Sequence, residues 1–154
     1  MKVIILCGIS GSGKSTLAGK PGDRVKFVVS ADDYFMRDGG YYDFDPALLG
    51  EAHADCLRRF VRAIQPGVCS EPTPTRVVVD NTNTTVAELA PYAALALAYG
   101  YELEIVILHC EPSVALQRNV HNVPERTIMG QYCRLLKLRD SLPPWWPVTE
   151  EQAI

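Results

Sequence analysis

The stretch Gly8-Ile-Ser-Gly-Ser-Gly-Lys-Ser-Thr16 decides the fold of this chain, because it has the spacing G-x-x-x-x-G-K-S. The apolar run Lys2 to Cys7 precedes it, and the residues after Ser15 can begin a helix. The glycines let successive backbone N–H groups point inward and bind an anion, and the helix dipole adds positive potential there. The stretch therefore predicts a site for ATP or another nucleoside triphosphate.

The side chains of this loop have separate predicted roles. Lys14 is expected to reach the β- and γ-phosphates from an exposed position in the cleft, and the Ser15 hydroxyl is suited to bind Mg²⁺. The residues expected to contact the nucleotide are Gly8, Ile9, Ser10, Gly11, Ser12, Gly13, Lys14, Ser15 and Thr16.

Composition limits the class of protein. A length of 154 residues and 47% apolar residues predict one globular domain over residues 1–154. The net charge of −3 gives no reason to expect non-specific binding to nucleic acid. The five cysteines are odd in number and form no C-x-x-C pair, which favours reduced thiols in a cytoplasmic protein. They are Cys7, Cys56, Cys69, Cys110 and Cys133.

We expect neither a signal peptide nor a membrane span. Met1 leads straight into the first apolar run, and no apolar run reaches about 18 residues.

Alternating strand and helix patterns predict an α/β fold. Nearly continuous apolar runs are typical of parallel strands covered on both faces; they are Lys2 to Cys7, Val25 to Val29, Arg76 to Val79 and Leu103 to Leu108. Helices are predicted over Pro46 to Ile64, after Thr85 up to Gly100, from near Ser113, and from Pro124 to about Arg139. We expect a parallel sheet of about four to five strands, flanked by helices and completed by a short lid. The segment Gln65 to Thr75 is predicted to be a surface loop.

Acidic residues follow two of these strands, at the sheet edge where ligands bind. Asp32 and Asp33 come after the second strand, where one of them can take the proton of an acceptor hydroxyl, or both can simply cap a helix. Asp80 ends the third strand, where it can hold Mg²⁺ through water or order the following turn.

Basic residues concentrate late in the chain, between and within the last two predicted helices. Arg118 and Arg126 lie where small P-loop kinases have a lid that covers the phosphates, although both could be ordinary surface residues. The same region supplies the best local basic patch, which is Arg118, Arg126, Arg134, Lys137 and Arg139.

Four motifs together resemble the AAA-type P-loop kinases related to phage polynucleotide 5′-hydroxyl kinase. They begin at Gly8, Ser30 (Ser-Ala-Asp-Asp-Tyr-Phe), Asp80 (Asp-Asn-Thr-Asn-Thr) and Arg118 (Arg-Asn-Val-His-Asn-Val-Pro). The resemblance implies that Lys14 and Ser15 contact the donor phosphates. It further implies that Asp32 is the general base and that Arg118 stabilises the transferring phosphoryl group.

The chain departs from that family pattern at Phe35, where the phage-type kinase has an arginine for the acceptor phosphate. Arg37 lies nearby but not at the same position. We therefore expect a Mg²⁺-ATP-dependent phosphotransferase that acts on a 5′-hydroxyl of a single-stranded nucleic acid or oligonucleotide end. The alternatives are a kinase for a small-molecule alcohol and a nucleotide-binding switch with little turnover.

Overall fold

A five-stranded parallel sheet forms the centre of the protein. The computed structural model describes residues 1–19, 26–67 and 74–153. The strand order is β2-β5-β1-β6-β7, and a short antiparallel pair, β3-β4, lies outside this sheet. The strands are β1 (Lys2–Cys7), β2 (Lys26–Val29), β3 (Met36–Arg37), β4 (Tyr41–Tyr42), β5 (Arg76–Asp80), β6 (Glu102–His109) and β7 (Val148–Gln152).

Five α-helices flank the sheet. They are α1 (Lys14–Gly19), α2 (Leu49–Ile64), α3 (Val86–Ala98), α4 (Pro112–Gln117) and α5 (Glu125–Ser141). Two 3-10 helices, Ala31–Phe35 and Pro46–Leu48, precede β3 and α2. Within the described ranges, no helix is long and apolar enough to span a membrane.

Burial on both faces explains why the strand sequences are nearly continuous apolar runs. In β1, Val3, Ile5 and Cys7 pack into the larger core, which includes residues of α2, α3 and α5. Leu6 instead packs on the opposite face, against Ala18 of α1. A strand with both faces covered has no position for a repeating polar side chain.

Register fixes where the site is built. Leu6 pairs with Asp80 of β5 on one side and with Val106 of β6 on the other. The loop after β1 and the acid that ends β5 therefore lie side by side at the carboxyl edge of the sheet, where ligands of open α/β sheets bind.

The predicted α/β class and strand number are confirmed, and the helix starts agree closely with the sequence signals. Thr85 and Glu88 form the predicted capping box, and Gly100 has φ 70° just beyond α3. The predicted helix from Pro46 begins with a 3-10 turn, and α5 ends two residues later than expected. The structure adds β7 and the β3-β4 hairpin. Val25, Cys69 and part of the Gln65 to Thr75 loop lie outside the described residues.

Candidate active site

The loop between β1 and α1 has the backbone geometry of an anion-binding nest. Gly11 and Gly13 have φ values of 82° and 92°, which residues other than glycine rarely adopt. A Cβ atom at Gly11 would overlap the carbonyl oxygen of Ala115, so the loop packs directly against α4. On its other side, Ser10 N donates to Oε1 of Gln131 in α5, at 2.8 Å. Two helices from late in the chain thus support this loop.

Lys14 is buried, with only 8% of its surface exposed, which corrects the expectation that it lies exposed in the cleft. Its Nζ donates to the carbonyl oxygen of Ile9 at 2.8 Å and lies 3.5 Å from Oγ of Ser12. Burial lowers the pKa of Lys14, and the charges of Asp80 and Asp32 act in the opposite direction. The hydrogen bond to the Ile9 carbonyl partly offsets the cost of burying the Lys14 ammonium.

Asp80 lies beside Ser15, and both line the cleft. Burial raises the pKa of Asp80, while a hydrogen bond from Ser15 and the charge of Lys14 act to lower it. A hydroxyl beside a desolvated carboxylate is a donor set that fits Mg²⁺, which usually keeps several waters and also binds substrate phosphates. In the described part of the chain, no group of three or more His, Cys, Asp or Glu side chains could hold a metal by itself.

The two acids after β2 have different environments. Asp33 caps the 3-10 helix, since its Oδ2 accepts from Ser30 N at 3.3 Å and from Nη1 of Arg59 at 2.8 Å. Asp32 is exposed and lines the same cleft as the loop. Its Oδ1 accepts a hydrogen bond from the Tyr42 hydroxyl at 3.0 Å. The hydrogen bonds thus divide the pair into a structural acid and one that faces the cleft.

The segment after α4 forms another part of the cleft wall. Arg118 is the C-cap residue of α4, is exposed, and lines the cleft together with His121. Asn119 holds the turn, because its side chain bonds both the N–H and the carbonyl oxygen of Val123, at 3.0 and 2.7 Å. Asn122 has φ 52°, which the tight turn requires. The predicted lid position of Arg118 therefore lies at the cleft.

The other members of the predicted basic patch do not line the cleft. Arg126 lies exposed in the first turn of α5. Nε of Arg134 donates to Oγ1 of Thr84 at 3.1 Å, and Nε of Arg139 lies 3.7 Å from Glu150. Phe35 is fully buried, and Arg37 is paired with Asp43. Among the described residues, the lysine and arginine side chains that line the cleft are therefore Arg118 and the buried Lys14.

The cleft has a volume of ≈ 560 Å³ and includes residues that the sequence did not single out. The end of β7 contributes Glu151 and Gln152. Tyr42 contacts Asp32, and His121 lies beside Tyr42. No sequence signal pointed to Tyr42, because it sits in a two-residue strand whose pairing is not encoded by periodicity. His121 lies within the Arg118 motif, which was the available signal.

The sequence of the chain matches a known protein family. The sequence model of the family described as AAA domain matches residues 3–130, which is most of the chain. The chain belongs to this AAA domain family. Over an alignment of 136 positions, the chain is 32% identical to NEDD4-binding protein 2 of Homo sapiens. That match takes in 82% of this chain, which spans 7% of the length of that relative.

Solved structures match the AAA domain in fold. Kti12 of Chaetomium thermophilum, in complex with ADP-AlF3, gives a TM-score of 0.65 at 14% identity over 97% of this chain and 88% of its own. A chain of the Pnkp1/Rnl/Hen1 RNA repair complex gives a TM-score of 0.63 at 16% identity, over 92% of this chain and 46% of the matched chain. A gluconokinase from Sinorhizobium meliloti 1021 gives a TM-score of 0.56 at 18% identity, over 99% of this chain and 82% of the gluconokinase chain. The AAA domain therefore has the nucleotide-binding fold of P-loop kinases.

Proposed function

We propose that the chain is a single-domain, Mg²⁺-ATP-dependent kinase that transfers a phosphoryl group to the 5′-hydroxyl of a single-stranded nucleic acid or oligonucleotide. The observation that carries this proposal is that Asp32 and Arg118 line the same cleft as the phosphate-binding loop. A nucleotide-dependent switch has no use for an acceptor-side carboxylate that faces the cleft. An enzyme that transfers phosphate uses both groups.

The donor side of the site consists of the loop, which includes Ser15, and of Asp80 beside it. The N–H groups of the loop and the Lys14 ammonium bind the triphosphate, for which Lys14 leaves its present contact with Ile9. Ser15 and Asp80 are the residues that would hold Mg²⁺. When bound, Mg²⁺ neutralises charge on the phosphate oxygens.

The acceptor side depends on Asp32 and Arg118. The acceptor hydroxyl donates its proton to the Asp32 carboxylate as its oxygen attacks the γ-phosphorus, and the bond to the ADP leaving group breaks. Arg118 lines the cleft, and we assign to its guanidinium the role of stabilising the charge that spreads over the transferring phosphoryl oxygens. Holding the two reactants in line supplies much of the rate enhancement.

The acceptor class rests on the resemblance to polynucleotide kinases and on the RNA repair complex among the fold neighbours. A second candidate is a kinase for a small neutral alcohol. Its support is that Arg118 is the one member of the predicted basic patch that lines the cleft. A polynucleotide acceptor gains most of its affinity from several phosphate contacts.

Transfer of labelled γ-phosphate from ATP tests both candidates on one panel. The panel contains 5′-hydroxyl DNA, 5′-hydroxyl RNA, nucleosides, and sugars, with matched 5′-phosphorylated oligonucleotides as the control. Label on the 5′-hydroxyl oligonucleotides and none on their 5′-phosphorylated counterparts supports the proposal. Label on sugars or nucleosides alone favours the second candidate, and label on none of them overturns transferase activity.

A further inference from the structure

Tyr42 contacts two residues of the cleft wall that lie far apart in the sequence. Its hydroxyl donates to Oδ1 of Asp32 at 3.0 Å, and its ring centroid lies 4.3 Å from the imidazole of His121. Asp32 and His121 both line the cleft. One side chain thus contacts both the acid after β2 and the turn after α4, which are 89 positions apart in the sequence.

The fold holds Tyr42 in this place. In the β3-β4 hairpin it pairs with Met36, directly after the 3-10 helix that carries Asp32. Its ring lies 6.1 Å from the buried ring of Phe35 and nearly parallel to Phe44 at 6.3 Å. Packing on several sides leaves the hydroxyl little freedom, and burial together with the Asp32 charge raises the pKa of Tyr42. The phenol therefore stays protonated near neutral pH and acts as the donor.

An aspartate at a cleft rim is otherwise loosely oriented, because the torsion that turns its carboxylate is broad. Within the described residues, Tyr42 is the one side chain that donates a hydrogen bond to the Asp32 carboxylate. A bond to Oδ1 turns the carboxylate so that Oδ2 remains available to accept a proton. Fixing that orientation before reaction is a contribution to the rate and not to acceptor binding.

We propose that Tyr42 is a positioning residue, which orients Asp32 through its hydroxyl and links it to the turn after α4 through His121. This inference rests on the proposed function, since it needs Asp32 to act as the base. The turn after α4 then has two roles: His121 contacts Tyr42 on the acceptor side, and Arg118 stabilises the transferring phosphoryl group. Orientation of the base is therefore tied to the position of that turn.

The test is steady-state phosphate transfer at saturating ATP with Tyr42→Phe, Asp32→Asn and the double variant. Tyr42→Phe keeps the ring and removes the hydroxyl, so we expect kcat to fall roughly 5- to 50-fold and the acceptor KM to stay within about twofold. In the Asp32→Asn background the same change should have no further effect, because Tyr42 acts through Asp32. Tyr41→Phe is the matched control, since Tyr41 is the neighbouring, 68% exposed tyrosine.

The link to the turn has its own variants. His121→Ala should lower kcat, and combining it with Tyr42→Leu should cost no more than Tyr42→Leu alone, since the leucine has already removed the ring contact. Thermal melting of each variant separates a loss of rate from a loss of folded protein, and His121→Ala tests the inference even where a Tyr42 variant is unstable.

The outcomes separate the two proposals. An active wild type whose kcat is unchanged by Tyr42→Phe overturns the inference alone. The inference also fails if the change raises only the acceptor KM, or if it slows Asp32→Asn further. A wild type that binds ATP and phosphorylates no acceptor overturns the proposed function and the inference with it.

Discussion

The carboxylate of Asp33 lies 2.8 Å from Nη1 of Arg59, whereas the neighbouring Asp32 carboxylate faces the cleft and meets the hydroxyl of Tyr42. This ion pair gives Asp33 a structural role. Arg59 also bonds Asp55 and the carbonyl oxygen of Ser30, so it joins α2 to the end of β2. We therefore expect substitutions at the two adjacent acids to have different effects.

Asp32→Asn should slow phosphate transfer by roughly 10²-fold or more and leave ATP affinity unchanged, because the amide cannot take the acceptor proton. Asp33→Asn is the matched control, and it should lower thermal stability while transfer stays within a few-fold. Transfer kinetics and calorimetry of ATP binding measure both effects. The reverse pattern, in which Asp33→Asn loses the activity, would identify Asp33 as the base.

Lys14→Met should reduce ATP affinity by roughly 10²-fold, because a charged hydrogen-bond donor to the phosphates is lost. The folded protein without nucleotide should melt at or above the wild-type temperature, since burial lowers the pKa of Lys14 and the methionine removes a buried charge. Lys137→Met, on the exposed part of α5, is the control. Unchanged ATP affinity of Lys14→Met in calorimetry contradicts the assignment of the loop.

Asp80→Asn should raise the melting temperature at pH 7 while weakening Mg²⁺-dependent transfer. Burial raises the pKa of Asp80, so the folded protein binds this proton more readily than the unfolded chain. The ionised group therefore costs stability above the raised pKa, and that cost disappears as the pH falls toward the ordinary value of 3.8.

Melting curves from pH 4 to pH 8 check this sign. The advantage of Asp80→Asn over the wild type should shrink as the pH falls. Asp140→Asn, which changes an exposed acid in α5, should have nearly the same melting temperature as the wild type at each pH. A lower melting temperature for Asp80→Asn at pH 7 would contradict the expected cost of the buried charge.

Gly11→Ala and Gly13→Ala separate backbone strain from steric overlap. Both positions have positive φ, which costs a residue with a side chain about 1–2 kcal/mol. A Cβ at Gly13 meets nothing within 4 Å, whereas one at Gly11 overlaps the backbone of α4 at Ala115. Urea unfolding should therefore show about 1–2 kcal/mol lost in Gly13→Ala and clearly more in Gly11→Ala. Equal losses would mean that α4 does not pack against the loop.

Oligonucleotide binding should depend only weakly on salt. Arg118 is the one exposed lysine or arginine among the described residues of the cleft, and one phosphate contact on a single strand gives a log–log slope of about −0.7. Arg118→Gln should bring the slope close to zero, while the control Lys137→Gln leaves it unchanged. A slope several times steeper would place the nucleic acid on a basic surface outside the cleft.

The sequence by itself determined the features that depend on neighbouring residues. The glycine spacing after Cys7 specifies the phosphate-binding loop, continuous apolar runs specify buried parallel strands, and the Thr85-Glu88 box specifies the start of α3. Such signals act within one turn or one strand, so they can be read without knowing the rest of the fold.

Tertiary structure decided the features that depend on residues far apart. The residues alone left open which of the two adjacent acids faces the cleft, and Arg59, from a helix 26 positions further along, pairs with Asp33. Lys14 is buried and its ammonium bonds the Ile9 carbonyl, and four of the five residues of the predicted basic patch do not line the cleft. The direction of a side chain depends on its packing against elements that are distant in the sequence, and that packing cannot be predicted from composition or periodicity.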